Sequence, residues 1–143
     1  SSRIDTTGGP STSLEDAGCY VRQFDNTPYI FCRDTALSWS DARQFCGEFQ
    51  MDLITIDTQE EDEWATNTAD NIMLWNWWIG ANDMDDDDTW HWLDGAPISY
   101  SNWDGGSAPG AGSDSCAVIA LLSSSWEPRA CTESIKFICE PTP

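Results

Sequence analysis

The chain has 143 residues, 40% of them hydrophobic, which is enough for one packed core and therefore one domain. Twenty-five acidic against six basic side chains give a formal net charge of −19, which excludes nucleic acid and anionic membrane surfaces as partners. No apolar run approaches the roughly 18 residues that a membrane span requires, so we expect no membrane insertion.

Six cysteines, an even number in so short a chain, predict disulfides and an oxidising, extracellular compartment. They are Cys19, Cys32, Cys46, Cys116, Cys131 and Cys139. Bound zinc is the alternative, but these cysteines include no close Cys-x-x-Cys pair and the single histidine is His91. We therefore expect a secreted protein with disulfides, although spacing alone does not choose among the pairings.

The composition of the chain divides it into three parts. Residues 1–18 are rich in Ser, Thr, Gly and Pro and lack apolar periodicity, which predicts a flexible linker or tail. Residues 19–140 carry regular apolar patterns and are predicted to form the folded domain, and residues 141–143 are left as a short C-terminal tail.

The first predicted elements are a hairpin and two helices. Apolar residues flank the polar turn Asp25-Asn26-Thr27-Pro28, and Cys19 and Cys32 fall at the open ends of this hairpin, where a local bridge is geometrically easy. The pattern Ser38-x-x-Asp41 is a helix-capping signature that precedes apolar residues at helical spacing. A second capping signature begins an acidic helix predicted over 58–69.

The remaining elements are predicted to be strands around a long loop. Residues 53–56 form a short β-like stretch between the helices, and 77–80 are predicted as a buried strand. Residues 94–115 hold many Gly, Pro, Ser, Asn and Asp, which predicts a long irregular loop of the kind that is usually functional. Strand patterns at 116–121 and 136–139 complete the order, which predicts an α+β fold.

Between Cys19 and Glu140 the chain carries a series of motifs in a fixed order. They are Cys19 and Cys32, Ser38-Trp39-Ser40-Asp41-Ala42-Arg43-x-x-Cys46, Trp78-Ile79-Gly80, Trp90-x-Trp92-x-Asp94-Gly95, Tyr100-x-Asn102-Trp103, Cys116, Trp126, Cys131 and Phe137-Ile138-Cys139-Glu140. In these motifs the chain resembles the C-type lectin-like domain family in its long, six-cysteine form. Each motif is weak alone, but all of them in order form a specific signal. The resemblance implies a fold in which two helices flank small antiparallel sheets and a long loop. It also implies the disulfides Cys19–Cys32, Cys46–Cys139 and Cys116–Cys131.

The resemblance further implies a place for a sugar-binding calcium ion in the long loop, but most ligand positions have changed. The ligand triplet of the family corresponds to Ala108-Pro109-Gly110, and its later Asn-Asp pair corresponds to Glu127-Pro128. Calcium takes about six to eight oxygen ligands, so we expect the site to be lost unless backbone carbonyls and waters complete it. The candidate ligand-binding residues of the loop are Asn102, Pro109, Asp114 and Glu127, of which Asp114 and Glu127 are also candidate metal ligands.

An acidic run, Asp83-Met84-Asp85-Asp86-Asp87-Asp88, precedes the long loop. By their distance from Trp90, Asp83 and Asp87 fall near positions where some members of the family hold an auxiliary calcium ion. Carboxylates this close repel one another unless a cation or water screens them, so Ca²⁺ bound by Asp83 and Asp87 is one expectation. A solvated acidic loop is the alternative.

Two of the nine tryptophans, Trp75 and Trp77, match no motif of the family. An exposed indole can stack on a sugar ring or anchor a protein partner, so both are candidate ligand-binding residues. Packing in the core or in a subunit interface is the alternative for both, and it is the favoured one.

These observations predict an extracellular binding module that recognises a carbohydrate or protein ligand through the long loop, with or without calcium. The alternative is an acidic domain that associates with calcium or mineral, or a calcium-independent protein-interaction domain. An enzyme is not expected, because the abundance of Asp is the only hint of paired catalytic carboxylates and His91 has no nucleophile motif near it. The predicted partner is a glycan or an extracellular protein, and the oligomeric state is left open.

Overall fold

The computed structural model describes residues 18–84, 89–93, 95–109 and 115–142. The elements in chain order are β1 (Cys19–Phe24), β2 (Thr27–Leu37), α1 (Trp39–Gly47), β3 (Met51–Leu53), α2 (Gln59–Ile72), β4 (Trp77–Asn82), β5 (Cys116–Ile119), β6 (Trp126–Arg129) and β7 (Ile135–Pro141). The predicted α+β order is confirmed. Of the linker predicted over residues 1–18, only Gly18 is described, and its carbonyl accepts hydrogen bonds from the Arg33 and Asp34 amides. The candidate ligands Asp87 and Asp114 lie outside the described residues.

All seven strands belong to one sheet, ordered β1-β2-β7-β4-β5-β6, with β3 pairing to β7 beside this path. The last strand of the chain, β7, lies between β2 and β4, antiparallel to the first and parallel to the second. Because β7 joins the N-terminal hairpin to the strands that border the long loop, the sheet is continuous rather than divided into small antiparallel sheets. At its end, β7 pairs Pro141 with Met51, so the strand enters the predicted C-terminal tail.

The N-terminal hairpin turns more tightly than predicted. Asp25 and Asn26 both have positive φ, 52° and 63°, as the two-residue hairpin turns of the primed types require. Asn and Asp tolerate this conformation better than most residues. Thr27 therefore already begins β2, and the resulting register places Cys19 opposite Cys32 with their Cα atoms 3.9 Å apart.

Both helices begin at the predicted caps. The Ser38 hydroxyl accepts a hydrogen bond from the Asp41 amide at 3.2 Å, and the Thr58 hydroxyl accepts one from the Glu61 amide at 3.1 Å. Each contact satisfies an amide of the first helical turn that has no partner within the helix. The second helix continues to Ile72, slightly beyond its predicted end, because no glycine or proline interrupts it.

The strand predictions differ from the structure mainly at the ends of strands. The stretch predicted over 53–56 is displaced: β3 ends at Leu53, and Ile54 and Ile56 are buried just after it. The sequence pattern missed β6 because Pro128 lies within it. Proline has no amide hydrogen to donate. It is tolerated there because β6 is an edge strand, and one side of an edge strand has no neighbouring strand to accept such a bond.

The buried residues form two clusters, one for each face of the sheet. Consecutive strand residues alternate between them, as the period of two in a β-strand requires. The cluster on the α2 side includes Phe31, Ala65, Ala69, Trp77, Ile79, Ala117, Ile119 and Ile138. The cluster on the α1 side includes Cys32, Ala42, Cys46, Trp78, Val118, Phe137 and Cys139. The sheet is therefore a middle layer, and the strand β4 is buried along its whole length.

The structure contains the three disulfides that the family resemblance implies. They are Cys19–Cys32, Cys46–Cys139 and Cys116–Cys131. The second bridge fastens α1 to β7, and the third joins β5 to the segment that follows β6. The bridges therefore hold the hairpin, the first helix and the strands below the long loop to one scaffold.

Candidate functional site

The described part of the long loop has an aromatic core of its own, centred on Trp126 of β6. The ring centroids of Trp92, Tyr100 and Trp103 lie 5.5, 5.9 and 5.6 Å from that of Trp126. Trp90 extends the cluster, at 4.8 Å from Trp103. Edge-on aromatic contacts of this kind contribute about 0.5–1.5 kcal/mol each beyond the area they bury. The loop is therefore packed against β6 rather than merely attached to it.

A buried carboxylate of α2 holds this loop in place. Asp62 is 2% exposed, and its Oδ2 accepts hydrogen bonds from the Tyr100 hydroxyl at 2.8 Å and from the Asn102 amide nitrogen at 3.0 Å. Its Oδ1 accepts one from Trp126 Nε1 at 3.1 Å. Hydrogen bonds to the charged form stabilise a carboxylate that burial would otherwise disfavour. Burial, together with the bond to Asp62, raises the pKa of Tyr100.

The structure changes the interpretation of Asn102, predicted to contact ligand. Its side-chain nitrogen donates to Asp62 and also lies 3.3 Å from the Ser124 carbonyl oxygen. These bonds use the donors that a ligand would need, so Asn102 positions the loop. The sequence analysis missed Asp62 because an acidic residue in the first turn of a helix is already explained by the helix dipole.

Both carboxylate oxygens of Glu127 accept hydrogen bonds from side chains of this chain. Oε2 accepts a hydrogen bond from the Ser123 hydroxyl at 3.0 Å, and Oε1 accepts one from Arg129 Nη1 at 3.1 Å. A cation at Glu127 would have to displace or approach the Arg129 guanidinium, which like-charge repulsion opposes. The next residue, Pro128, has no side-chain oxygen to offer. The described residues of the sugar-type calcium position therefore do not fit a calcium ion.

Pro109 has its own intramolecular partner, since its carbonyl oxygen accepts a hydrogen bond from Trp90 Nε1 at 3.1 Å. Between Trp103 and Pro109, the exposed tip of the loop turns through two glycines with positive φ, Gly105 at 85° and Gly106 at 90°. Glycine adopts this conformation without the steric cost of a Cβ atom. The tip therefore offers backbone groups and small side chains, with Asp104 as its one carboxylate.

Next to the tip lies a row of polar side chains that we call the polar strip: Asp104, Ser123, Ser125 and Glu127. The hydroxyls of Ser123 and Ser125 are 2.7 Å apart, and Ser125 Oγ lies 3.4 Å from Asp104 Oδ1. Backbone bonds keep the row in register, because the amide of Asp104 donates to the Trp126 carbonyl at 2.9 Å. The strip presents two adjacent hydroxyls between two carboxylates, which suit the hydroxyls of a sugar or the polar groups of a protein.

Asp83, directly after β4, is a candidate metal ligand with a buried carboxylate. The residue is 7% exposed, and its buried Oδ1 has no hydrogen-bond partner among the residues that the structure describes. Its amide donates to the Ser115 carbonyl at 3.0 Å. An unpaired buried carboxylate oxygen is costly, and a bound cation would remove that cost. Within the described ranges, no group of three or more His, Cys, Asp or Glu side chains converges on one point.

The two unassigned tryptophans have different environments. Trp77 is fully buried, and its Nε1 donates to the Met73 carbonyl at 3.2 Å. An indole with no exposed surface cannot contact a ligand. Trp77 is therefore a core residue and not a ligand-binding residue. Trp75 is 47% exposed, and Lys136 Nζ lies 5.6 Å from its ring centroid. Trp75 is thus a surface residue in the connection between α2 and β4.

A second set of buried carboxylates lies where α2 meets the end of β7. Glu61 accepts hydrogen bonds from the Tyr29 hydroxyl at 2.9 Å and from the Asp57 amide at 3.1 Å. Glu140 accepts one from the Thr55 amide at 3.1 Å. Burial raises the pKa of Glu140 to about 8, and the negative charges of Glu61 and Asp57 add to the effect. Burial also raises the pKa of Glu61.

Residues 35–141 match the family model for the lectin C-type domain. The chain therefore belongs to the C-type lectin domain family. Among curated relatives, it is 30% identical over 130 residues to the secretory phospholipase A2 receptor of Bos taurus, and 29% identical over 122 residues to the C-type mannose receptor 2 of Mus musculus. These alignments cover 82% and 85% of the chain, which spans only 9% and 8% of the two receptors.

Among solved structures, the carbohydrate-recognition domain of the mouse scavenger receptor C-type lectin is similar at a TM-score of 0.73 and 29% identity. The superposition covers 86% of this chain and 95% of that domain, so the similarity extends over almost the whole described fold. In the part of the chain that the structure describes, no helix is both long and apolar enough to cross a membrane.

Proposed function

We propose that the chain is an extracellular ligand-binding module that recognises a glycan or a protein through the tip of its long loop and the polar strip, without a sugar-type calcium ion. The observation that carries the proposal is the engagement of both Glu127 oxygens by Ser123 and Arg129. Family membership supports a binding module, and the similar mouse domain is described as carbohydrate-recognising. The phospholipase A2 receptor, named for a protein ligand, supports the protein alternative.

The strip would bind by exchanging its internal hydrogen bonds for bonds to the ligand. The hydroxyls of Ser123 and Ser125 both donate and accept, so they can adapt to either a sugar or a protein surface. The aromatic core and the Asp62 bonds already hold the loop, so little conformational entropy remains to be lost on binding. Arg129 keeps Glu127 in one orientation, which favours a single mode of recognition.

The proposal is tested with a glycan array and a panel of extracellular proteins, each probed with calcium and with EDTA. We expect a ligand whose signal is the same in both conditions. Ser125→Ala should weaken its binding by about fivefold to tenfold, because one hydrogen bond at a contact surface is worth about 1 kcal/mol. Glu133→Gln, an exposed change in the turn before β7, is the matched control. Loss of the signal in EDTA would contradict calcium independence, and unchanged binding by Ser125→Ala would contradict the strip.

We also propose that Asp83, with Asp87, holds a calcium ion that stabilises the domain. The support is the buried Asp83 Oδ1, for which the described part of the chain supplies no hydrogen-bond partner. Such an ion supplies a positive charge and coordinates carboxylate oxygens. Melting temperatures measured in calcium and in EDTA test it: calcium should raise the wild-type value, and Asp83→Asn or Asp87→Asn should abolish the difference. Asp114→Asn is the control, and if it alone abolished the difference, the sugar-type position would be the occupied one.

A further inference from the structure

A groove of about 430 Å³ lies between the β1–β2 hairpin and the C-terminal half of α2. We call it the basic groove, and its walls carry Tyr20, Arg22, Arg33, Thr68, Asn71 and Ile72. The chain as a whole has a net charge of −19, so two arginines that line one groove reverse the sign of the charge locally. Local charge of this kind selects partners of the opposite sign.

The two guanidinium groups are held in place by their neighbours. Arg22 Nη1 donates to the Val21 carbonyl at 2.9 Å, and the guanidinium carbon lies 5.6 Å from the centre of the Tyr20 ring. Arg33 Nη1 donates to the Tyr20 hydroxyl at 3.4 Å. Within the described ranges, the buried Arg33 Nε makes no hydrogen bond; it lies 3.4 Å from an oxygen of Asp34, whose side chain is 58% exposed. An exposed ion pair of this kind is weak, so Arg33 can still bind an incoming carboxylate.

A third cation continues this surface onto β7. Cys32 of β2 pairs with Phe137 of β7. Arg33 follows Cys32 on β2, and Lys136 precedes Phe137 on β7. Side chains alternate along a strand, so Lys136 lies on the face opposite to Phe137, which is the α2 side. Its Nζ lies 5.6 Å from the ring centroid of Trp75, at cation–π distance.

An exposed apolar ridge of consecutive residues adjoins the basic groove. Met73, Leu74 and Trp75 are 38%, 60% and 47% exposed. They follow directly on Ile72, which lines the groove, so the two surfaces are continuous. Neighbouring large apolar side chains that remain exposed, with Trp and Met among them, are typical of protein interfaces.

We propose that the basic groove and the apolar ridge together bind an acidic segment of a protein partner. Carboxylates of the segment pair with Arg22 and Arg33, and an apolar side chain lies on Trp75 beside Lys136. The ridge favours a peptide over a sulfated glycan, because a glycan would leave Met73 and Leu74 without apolar contacts. The strand order places the basic groove at the β1 edge of the sheet and the polar strip at the β6 edge, and the apolar ridge lies between them, directly before β4.

The probe is a fluorescent synthetic peptide, acetyl-Asp-Glu-Leu-Asp-Glu-Phe-Asp-Glu-amide, titrated with the whole chain in a fluorescence-anisotropy assay. We expect Arg22→Gln and Arg33→Gln each to raise the Kd by about fivefold or more, since each removes a charge-assisted contact. Trp75→Ser should raise the Kd to a similar extent through the lost apolar contact. A peptide with Asn and Gln in place of Asp and Glu should not bind.

The matched control is Arg43→Gln, which changes the net charge by the same amount at an arginine that is already paired with Asp52 at 3.1 Å. It should leave the Kd unchanged within about twofold, as expected when charge acts locally. Equal weakening by Arg43→Gln would overturn the proposal, because binding would then follow net charge alone. Failure of the wild-type chain to bind the peptide at millimolar concentration, or tighter binding of a size-matched sulfated oligosaccharide, would overturn it as well. None of these variants alters the polar strip, so the outcome is independent of the loop function.

Discussion

The carboxylate of Asp62 accepts a hydrogen bond from the indole nitrogen of Trp126 at 3.1 Å, and so joins α2 to β6 across 64 residues of sequence. The same carboxylate binds Tyr100 and Asn102 of the long loop. The helix, the edge strand and the loop therefore depend on one buried side chain, and the shape of the candidate binding surface depends on it too.

Asp62→Asn should destabilise the domain by about 1–3 kcal/mol, because the asparagine amide would present a donor to at least one group that also donates. The measurement is urea-induced unfolding at neutral pH. Hydrogen exchange adds a local readout, since the Asp104 amide that binds the Trp126 carbonyl should exchange faster. Glu63→Gln, one residue further along α2 and exposed, is the control. An Asp62→Asn protein as stable as the Glu63→Gln protein would show that the loop is held by its aromatic contacts alone.

Glu140 should make stability depend on pH. Its pKa is about 8 in the folded chain against an ordinary value of 4.5, so the folded state holds the proton more tightly. The contribution of the protonated group is fully present below about pH 4.5 and is lost as the pH rises through about 8. We expect the melting temperature of the wild type to fall between pH 5 and pH 9.

Glu140→Gln should flatten this fall and melt a few degrees above the wild type at pH 9, because glutamine stays neutral and its oxygen can still accept from the Thr55 amide. A smaller slope should remain, since the pKa of Glu61 is raised by burial as well. Glu133→Gln, at an exposed position, should follow the wild-type curve. Identical pH profiles for Glu140→Gln and wild type would mean that Glu140 is solvated.

The disulfides should differ in their contribution to stability. Cys46–Cys139 closes a loop with a sequence separation of 93, whereas Cys19–Cys32 closes one with a separation of 13. The chain-entropy relation then gives about 4.6 kcal/mol for the first and about 3 kcal/mol for the second. Replacing both cysteines of a pair by alanine, in separate variants, and measuring the free energy of unfolding checks the order. A larger loss from the hairpin pair would point to strain or residual structure instead of loop closure.

The sequence is sufficient for features whose signals are local. The caps at Ser38 and Thr58 act over three residues, so residue type and spacing predict them directly. The two-residue turn was predicted as longer because Pro28 also favours turns, yet the paired positive φ values of Asp25 and Asn26 complete the reversal first. The disulfide pairing came from the family resemblance and not from spacing.

The candidate site was harder to predict because its contacts are distant in sequence. Nothing near Asn102 indicates that its amide binds Asp62, which is 40 residues earlier. Trp77 was ambiguous for a different reason: both faces of β4 are covered by helices, so alternation along the strand does not distinguish inside from outside. Glu127 was kept as a metal ligand because the partner of its carboxylate, Arg129, becomes evident only once β6 is recognised as a strand.

The strand order has a consequence for how many molecules one copy can hold. Between β1 and β6 lie four other strands along the hydrogen-bonded path, and at about 4.8 Å per step the two margins are roughly 24 Å apart. A monosaccharide is too small to reach from one margin to the other. If the basic groove and the polar strip both bind as proposed, one copy of the domain holds two ligands at once. It then cross-links partners present in several copies on neighbouring surfaces, with a strength that depends on local concentration as well as on each contact.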